Sequence, residues 1–211
     1  MNKQTTPIFI IGTGRSGTRT FFRMLSGVED IEIHHEYLCT HIQKIACLYF
    51  MGLMKKEDVQ HSFCSLHGAA INYSNDRLWI DCSNKISWLI TPILEIFPNA
   101  KFLLLVRDGR KVVSSFYYKL RDEMYDDDSV YILKHWLANQ DTVDMPPAEK
   151  KYWWNIPQKN NAFFNEFKHF NRLQRTAYHW NECNKFILSE FDNVPKEQQK
   201  IVRLEDITSS E

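Results

Sequence analysis

Short, continuous apolar runs alternate with longer helical patterns along the chain. The strongest run covers Lys101 to Val106, and two others cover Pro7 to Gly12 and Leu78 to Cys82. A run without polar alternation is typical of a strand buried on both faces of a sheet. Because helical stretches separate these runs, the sequence predicts an α/β protein built from βαβ units, in three layers, with a central parallel sheet flanked by helices.

Helical periodicity and helix-ending residues give the remaining predicted elements. Pro98 and Asn99 end the helix that precedes the strongest strand. Between 125 and 161 the pattern weakens, and we interpret this stretch as an insertion or lid within a single domain that covers residues 1–211. The predicted helices cover about 20–26, 38–54, 56–72, 87–97, 110–124, 130–139 and 163–191, and a last strand covers 200–204.

The composition is that of a globular protein, and it narrows the classes of partner. Of 211 residues, 44% are hydrophobic and 25% are charged, which disfavours a disordered or fibrous chain. Lys plus Arg and Asp plus Glu both number 26, so we expect no nucleic acid bound through a broad basic face, although a local basic pocket fits this balance. No apolar run approaches the length of a membrane span or a signal segment, and we expect a cytoplasmic protein. The sequence leaves the oligomeric state open.

Neither the cysteines nor the histidines form a metal-binding pattern. The five cysteines are odd in number and include no C-x-x-C pair, so we expect reduced thiols rather than a disulfide framework or a zinc ribbon. In the segment HHEYLCTH, the histidine spacing differs from the H-E-x-x-H pattern that places two ligands on one helical face. We therefore expect no metal cofactor.

A glycine-rich turn, GTGRSGT, lies between the first predicted strand and the helix after it. At such a junction, backbone N–H groups and the helix dipole converge on an anion. Gly12 and Gly17 have the spacing of the P-loop G-x-x-x-x-G-K-[ST], but Thr18 takes the place of its lysine. Arg19 takes the place of the Ser/Thr that would reach Mg²⁺, and the cation inside the turn is Arg15. The turn is thus suited to a phosphate-like group rather than to a magnesium triphosphate, and the alternative is a tight turn with incidental glycines.

A second strand-to-helix junction offers another anion site. Arg107 follows the strongest strand, at the sheet edge where open α/β sheets bind ligands, and Ser114 and Ser115 lie on the helix that follows. A guanidinium and a hydroxyl in this arrangement can bind a phosphate, although Arg107 could instead pair with Asp108. Two phosphate sites at neighbouring strand ends indicate a nucleotide phosphorylated at two separate positions.

At these residues the sequence resembles the sulfotransferases that use 3′-phosphoadenosine 5′-phosphosulfate (PAPS). The segments that carry the resemblance are FIIGTGRSGTRTFFRML, IDCSNKIS, IFPNAKFLLLVRDGRKVVSSF and the terminal IVRLEDI. The second and third are similar to segments of the protein-tyrosine sulfotransferase branch, whereas the Thr-Arg after the loop glycine looks more like glycosaminoglycan sulfotransferases. The class of acceptor, whether a sugar, a phenol or a peptide tyrosine, therefore stays open.

The resemblance implies a role for individual residues. It assigns Arg107 and Ser115 to the 3′-phosphate, and Lys85 to the oxygen that bridges the 5′-phosphate and the sulfonate. Small-molecule sulfotransferases have a base-stacking Trp where this chain has Thr20, so adenine must be held by another residue. The residues assigned to the 5′-phosphosulfate group are Gly14, Arg15, Ser16, Gly17, Thr18, Arg19 and Thr20.

The resemblance also indicates where a general base lies. Related branches place a catalytic glutamate after the first helix, where this chain has His34, His35 and Glu36. We favour Glu36, because a partly desolvated carboxylate can accept a hydroxyl proton, and His35 is the second candidate. Arg15 would then neutralise the sulfonate, and Lys85 would stabilise the leaving oxygen. The alternative for this cluster is a solvated loop with no catalytic part.

Together these observations predict an enzyme that moves a sulfuryl group from PAPS to a hydroxyl acceptor and releases adenosine 3′,5′-bisphosphate. A nucleotide or small-molecule kinase with the same fold is one alternative, and it is disfavoured by the missing P-loop lysine. A non-catalytic nucleotide-binding module is the other.

Overall fold

The computed structural model describes residues 5–119, 125–139, 142 and 155–208. These residues form two compact units, which we call the sheet unit (the described residues up to 107 and from 183 onward) and the helical unit (the described residues from 108 to 182). Much of the predicted lid, at 140–141 and 143–154, lies outside the described residues, as does the predicted end of a helix at 120–124. The single domain with a lid stays a prediction.

Five strands form one parallel sheet in the sheet unit, in the order β2-β3-β1-β4-β5. The predicted α/β class and parallel sheet are confirmed. β2 was not predicted, because its five residues, IEIHH, alternate in polarity and lack the continuous apolar run of its neighbours. The strands are β1 (Thr6–Ile11), β2 (Ile31–His35), β3 (Leu78–Cys82), β4 (Lys101–Val106) and β5 (Gln199–Arg203).

Helices of the sheet unit cover both faces of this sheet. On one face, α1 (Thr18–Leu25) and α9 (Leu204–Thr208) pack on a cluster that includes Ile10 and Ile80. On the other face, the ring of Phe63 in α3 (Lys56–Phe63) lies edge-on to Phe9, with ring centroids 5.9 Å apart. Successive side chains of a strand point to opposite faces, so each strand contributes to both layers of the core.

The remaining helices of the sheet unit differ in part from the prediction. The helix predicted over 56–72 is interrupted by a π-helical turn at Cys64–Gly68. A 3₁₀ turn at Ile86–Trp88 precedes the predicted helix before β4, and the short helix α9 was not predicted. The bounds are α2 (Cys39–Phe50), α4 (Ala69–Tyr73) and α5 (Ile90–Ile96).

The helical unit is built from α6 (Gly109–Lys119), α7 (Asp127–Ala138) and the first part of α8 (Arg172–Phe191). The prediction that the last of these starts at 163 is wrong. Asn171 and Gln174 form reciprocal side chain to backbone hydrogen bonds of 2.8 and 3.0 Å, which is a capping box that fixes the helix start at Arg172.

None of the helices in the described part of the chain combines the length and the apolar character that a membrane span needs.

Candidate active site

The glycine-rich turn between β1 and α1 is fixed at its first residue. Gly12 has φ of 152°, and a Cβ at this position would lie 2.5 Å from the carbonyl oxygen of Leu105. The amide of Gly12 donates to Ser87 Oγ at 3.1 Å, and the same hydroxyl donates to the Gly12 carbonyl at 2.9 Å. Only glycine fits here without a shift of β4, and the hydroxyl of Ser87 ties the turn to the segment after β3.

The middle of the turn alternates between left-handed and other backbone conformations. Arg15 has φ of 69° and Gly17 has φ of 108°. Helix α1 starts directly afterwards, with the amides of Thr20 and Phe21 bonded to the Gly17 carbonyl at 2.9 and 3.1 Å. No acidic residue lies in the first turn of α1. The positive end of the helix dipole and the amides of the turn are therefore not offset by an acidic side chain of α1's first turn.

Ser16 supplies a polar group in this turn. Its side chain is fully buried, and its hydroxyl has no hydrogen-bond partner among the described residues. A buried hydroxyl without a hydrogen-bond partner lowers the stability of the fold unless a ligand or a water molecule bonds to it. This orphaned oxygen, beside the amides of the turn, fits an anionic ligand. Of the other predicted loop residues, Gly14 and Thr18 are buried, Arg15 and Gly17 are half-buried, and Arg19 and Thr20 are exposed.

Arg107 reaches the glycine-rich turn from the end of β4. Its Nη1 donates to the carbonyl oxygen of Arg15 at 3.0 Å. The structure thus brings together the two anion-binding elements that were predicted from separate parts of the sequence. Ser115, the second residue assigned to the 3′-phosphate, lies on α6 in the helical unit, and its cooperation with Arg107 stays a prediction.

Lys85 and Glu36 form an ion pair beyond the ends of two neighbouring strands. Lys85 Nζ lies 2.7 Å from Glu36 Oε1, and the side chains are 0% and 16% exposed, respectively. Glu36 follows β2 with φ of 57°, and its amide donates to the Cys82 carbonyl at 3.2 Å. The short distance and the burial make this a charge-assisted hydrogen bond that is largely shielded from solvent. An acid and a cation that were predicted from different segments are in direct contact.

His35, the second candidate for the base, lies on β2 itself. Its ring is 5.9 Å from that of Phe22 in α1. Burial lowers the pKa of His35, while the nearby carboxylates of Glu36 and Asp81 act in the opposite direction. The net lowered pKa leaves the imidazole neutral at pH 7, so its charge state is compatible with a base. The solvated loop considered for this cluster is wrong in part, because His34 and His35 belong to a strand of the sheet.

Two residues near this corner were missed by sequence reasoning. Ser87 holds the first glycine of the turn, and nothing in the sequence distinguishes it from other serines. Asp81 accepts a hydrogen bond from the amide of Tyr37 at 3.1 Å. The acid inside the apolar run LWIDC could have identified Asp81 from the sequence, because an acidic side chain is almost never fully buried without a partner.

The described residues contain no group of three or more His, Cys, Asp and Glu side chains that could hold a metal ion. Arg15, Arg107 and Lys85 provide positive charge at this end of the sheet. Such a set can bind sulfonate and phosphate oxygens through charge-assisted hydrogen bonds.

The fold and this site match a known family. Residues 7–150 match the sequence profile of the Sulfotransferase family, which is more than half of the chain. The chain belongs to the sulfotransferase family, and it is a sulfotransferase in fold and family. No curated protein sequence matches it with significance.

A solved structure supports the same fold. A sulfotransferase domain from the curacin biosynthetic pathway superposes with a TM-score of 0.52 and 16% identity, over 99% of this chain and 70% of that one. A sulfotransferase from Alicyclobacillus acidocaldarius gives a TM-score of 0.49 and 15% identity, over 96% of this chain and 74% of that one. At this identity the curacin-pathway domain supports the fold alone.

Proposed function

We propose that this protein transfers a sulfuryl group from PAPS to a hydroxyl-bearing acceptor, with adenosine 3′,5′-bisphosphate as the second product. The single observation that carries the proposal is the 2.7 Å contact between Lys85 and Glu36. Ser87, two residues after Lys85, holds the first residue of the glycine-rich turn. A candidate base, a candidate leaving-group cation and an anion-binding turn are thus linked through one short segment.

The binding role in this proposal falls to the turn and to Arg107. The turn amides, the orphaned Ser16 hydroxyl and Arg15 would hold the 5′-phosphosulfate, which supplies the sulfuryl group. Arg107 would bind the 3′-phosphate through its guanidinium, whose planar N–H donors suit phosphate oxygens. Ser115 would contribute a hydroxyl to the same phosphate.

Glu36 is the proposed general base. Its side chain is 16% exposed, so an acceptor hydroxyl can reach the carboxylate and donate its proton to it. As the oxygen of the acceptor forms its bond to sulfur, the bond from sulfur to the 5′-phosphate oxygen breaks. Lys85 has three N–H donors, so it can hold Glu36 and stabilise the negative charge on the departing oxygen.

A transfer assay tests this proposal. Full-length protein is incubated with PAPS labelled in the sulfate and with a panel of sugar, phenol and tyrosine-peptide acceptors, and labelled product and released bisphosphate are both measured. We expect transfer to at least one acceptor class. Glu36→Gln should lower kcat by about 10²-fold or more, whereas Glu57→Gln, at an exposed position of α3, should leave it unchanged.

Other outcomes would replace the proposal. Tight binding of the bisphosphate without transfer to any acceptor would support a non-catalytic nucleotide-binding module. Turnover of ATP with Mg²⁺ in place of PAPS would support the kinase alternative. Full activity of the Glu36→Gln variant would exclude Glu36 as the base and leave His35 as the candidate.

A further inference from the structure

A buried pair of ionisable side chains lies behind the candidate base. Asp81 on β3 and His67 in the π-helical turn are both fully buried, and Asp81 Oδ2 lies 3.8 Å from His67 Nε2. This distance is too long for a hydrogen bond. Neither ring nitrogen of His67, nor Asp81 Oδ2, has a hydrogen-bond partner among the described residues. Because such groups lower stability when they are buried and unsatisfied, folding alone does not explain the pair.

The backbone around His67 also has an unusual conformation. The π-helical turn at Cys64–Gly68 interrupts a helical stretch that runs from Lys56 to Tyr73. Such turns are rare, and they occur frequently at functional sites. In this turn the His67 ring stacks on Phe63, with centroids 4.4 Å apart, and points toward Asp81 on the sheet.

Asp81 acts on the segment that carries Glu36. Its Oδ1 accepts the Tyr37 amide at 3.1 Å, and the Cys82 carbonyl accepts the amide of Glu36 at 3.2 Å. Two consecutive residues of β3 therefore accept hydrogen bonds from the amides of two consecutive residues that follow β2. His67 adds a contact to the ring of Tyr37, with centroids 5.0 Å apart.

This restraint bears on a backbone conformation that is unfavourable by itself. Glu36 has φ of 57°, in the left-handed region, which is sterically unfavourable for residues other than glycine. The conformation persists only where neighbouring contacts hold it. The hydrogen bond from the Tyr37 amide to Asp81 lies directly after the strained residue, so it restrains the backbone that carries Glu36.

We propose that Asp81 is a positioning residue for the general base, and that His67 supports it from the π-helical turn. The inference rests on the proposed function, because it gives Asp81 a part in catalysis through Glu36. Asp81 itself need not touch either substrate. Its role is to keep the Glu36 carboxylate in one position, since a misplacement of about 1 Å in a catalytic group can lower a rate about 10²-fold.

A graded series of variants tests this role. Asp81→Leu removes the acceptor for the Tyr37 amide, and Asp81→Asn keeps a weaker, uncharged acceptor. We expect kcat to fall about 10- to 100-fold in Asp81→Leu and about 3- to 10-fold in Asp81→Asn, with the Kd for adenosine 3′,5′-bisphosphate within about twofold of the wild-type value. The matched controls are Asp58→Leu and Asp58→Asn, at an exposed position of α3, which should change neither quantity.

Hydrogen exchange of the Tyr37 amide gives a readout that does not depend on turnover. Exchange should be about 10-fold or more faster in Asp81→Leu than in wild type, and intermediate in Asp81→Asn. If the wild-type protein transfers no sulfuryl group, the proposed function fails, and the positioning contact is then judged by this exchange alone.

Three results would overturn the inference. The first is wild-type kcat in Asp81→Leu, and the second is unchanged Tyr37 exchange in that variant. The third is a loss of kcat in parallel with bisphosphate affinity, which would make Asp81 a residue of the fold only. If Asp81→Leu does not fold, Asp81→Asn decides, and unchanged kcat with unchanged Tyr37 exchange in that variant rejects the proposal.

Discussion

The sheet unit and the helical unit each bury a cation, and the two cations have different surroundings. Arg175 in the helical unit is 5% exposed. It donates to the Tyr125 carbonyl at 3.0 Å, pairs with the Asp127 carboxylate at 2.8 Å and lies 5.7 Å from the centre of the Phe167 ring. Lys85 in the sheet unit is 0% exposed and meets the Glu36 carboxylate at 2.7 Å.

The difference between the partners is the basis on which we assign a structural role to Arg175 and propose a catalytic role for Lys85. Arg175 binds a backbone carbonyl and a carboxylate that is 92% exposed, so it ties the start of α7 to α8. Lys85 instead holds a second ionisable group that is itself mostly buried, at the end of the sheet where the glycine-rich turn lies. Buried pairs of the second kind are costly for folding and are typical of sites that move protons.

Loss of the Lys85 cation should have the largest effect. Lys85→Met keeps most of the side-chain volume and removes the charge that we propose stabilises the leaving oxygen, so we expect kcat to fall about 10²- to 10³-fold, equivalent to about 2.7–4 kcal/mol. The Kd for adenosine 3′,5′-bisphosphate should change much less than kcat. Steady-state kinetics and calorimetric titration measure the two quantities.

The control for this variant is Lys56→Met, which breaks the exposed pair with Glu95. It should leave kcat at the wild-type value. An equal loss of kcat in both variants, or full activity of Lys85→Met, would remove Lys85 from the chemistry and end the contrast between the two cations.

Loss of the Arg175 cation should affect stability instead. Arg175→Met removes a charged donor from the buried Tyr125 carbonyl, which should lower the free energy of unfolding by about 2–3 kcal/mol. Denaturant unfolding of the full chain measures this change. Arg110→Met, which breaks an exposed pair with Asp108, is the matched control and should unfold like wild type. A stability of Arg175→Met equal to that of wild type would show that its buried contacts are not structural.

The buried His179 of the helical unit should also make the stability of the protein depend on pH. Burial lowers the pKa of His179 from 6.5 to about 3. Below pH 6.5 this histidine is therefore protonated in the unfolded chain, whereas in the folded chain it stays neutral down to about pH 3. The free energy of unfolding falls across this window as the pH is lowered. The loss from this residue between pH 7 and pH 5 should be about 2 kcal/mol.

His179→Phe tests this dependence, because it keeps an aromatic ring and removes the titration. Unfolding curves at pH 7 and pH 5 should differ by about 2 kcal/mol less in the variant than in wild type. His135→Phe, at an exposed position of α7, should keep the wild-type difference. A variant with the same pH dependence as wild type would assign the acid sensitivity to other groups.

The elements that could be predicted are those with a strong local signal. The continuous apolar runs gave β1, β3 and β4 within one or two residues, and the glycine spacing gave the turn before α1. The start of α8 was missed, although Asn171 and Gln174 have the spacing of a capping box. The π-helical turn has no local signature, since the pattern around it continues as an ordinary helix.

The contacts of the site could not be predicted from spacing. Glu36 and Lys85 are 49 residues apart, and they meet because β2 and β3 pair in parallel with His35 opposite Cys82. Because β2 was not predicted, its register with β3 could not be predicted either. Likewise, the guanidinium of Arg107 was expected near a phosphate, but its bond to the Arg15 carbonyl depends on the pairing of β1 with β4.

In the proposed complex, the glycine-rich turn and Arg107 bind one adenosine that carries phosphates at both the 5′ and the 3′ positions. The ratio of the Kd values for adenosine 5′-monophosphate and adenosine 3′,5′-bisphosphate tests this arrangement, in wild type, in Arg107→Met and in Arg77→Met, an exposed control. The ratio isolates the 3′-phosphate, because any general effect of Arg107 on the turn weakens both ligands. We predict a ratio of about 100 or more in wild type and in the control, and below about 10 in Arg107→Met. Equal affinity of wild type for the two ligands, or an unchanged ratio in Arg107→Met, would contradict this binding mode.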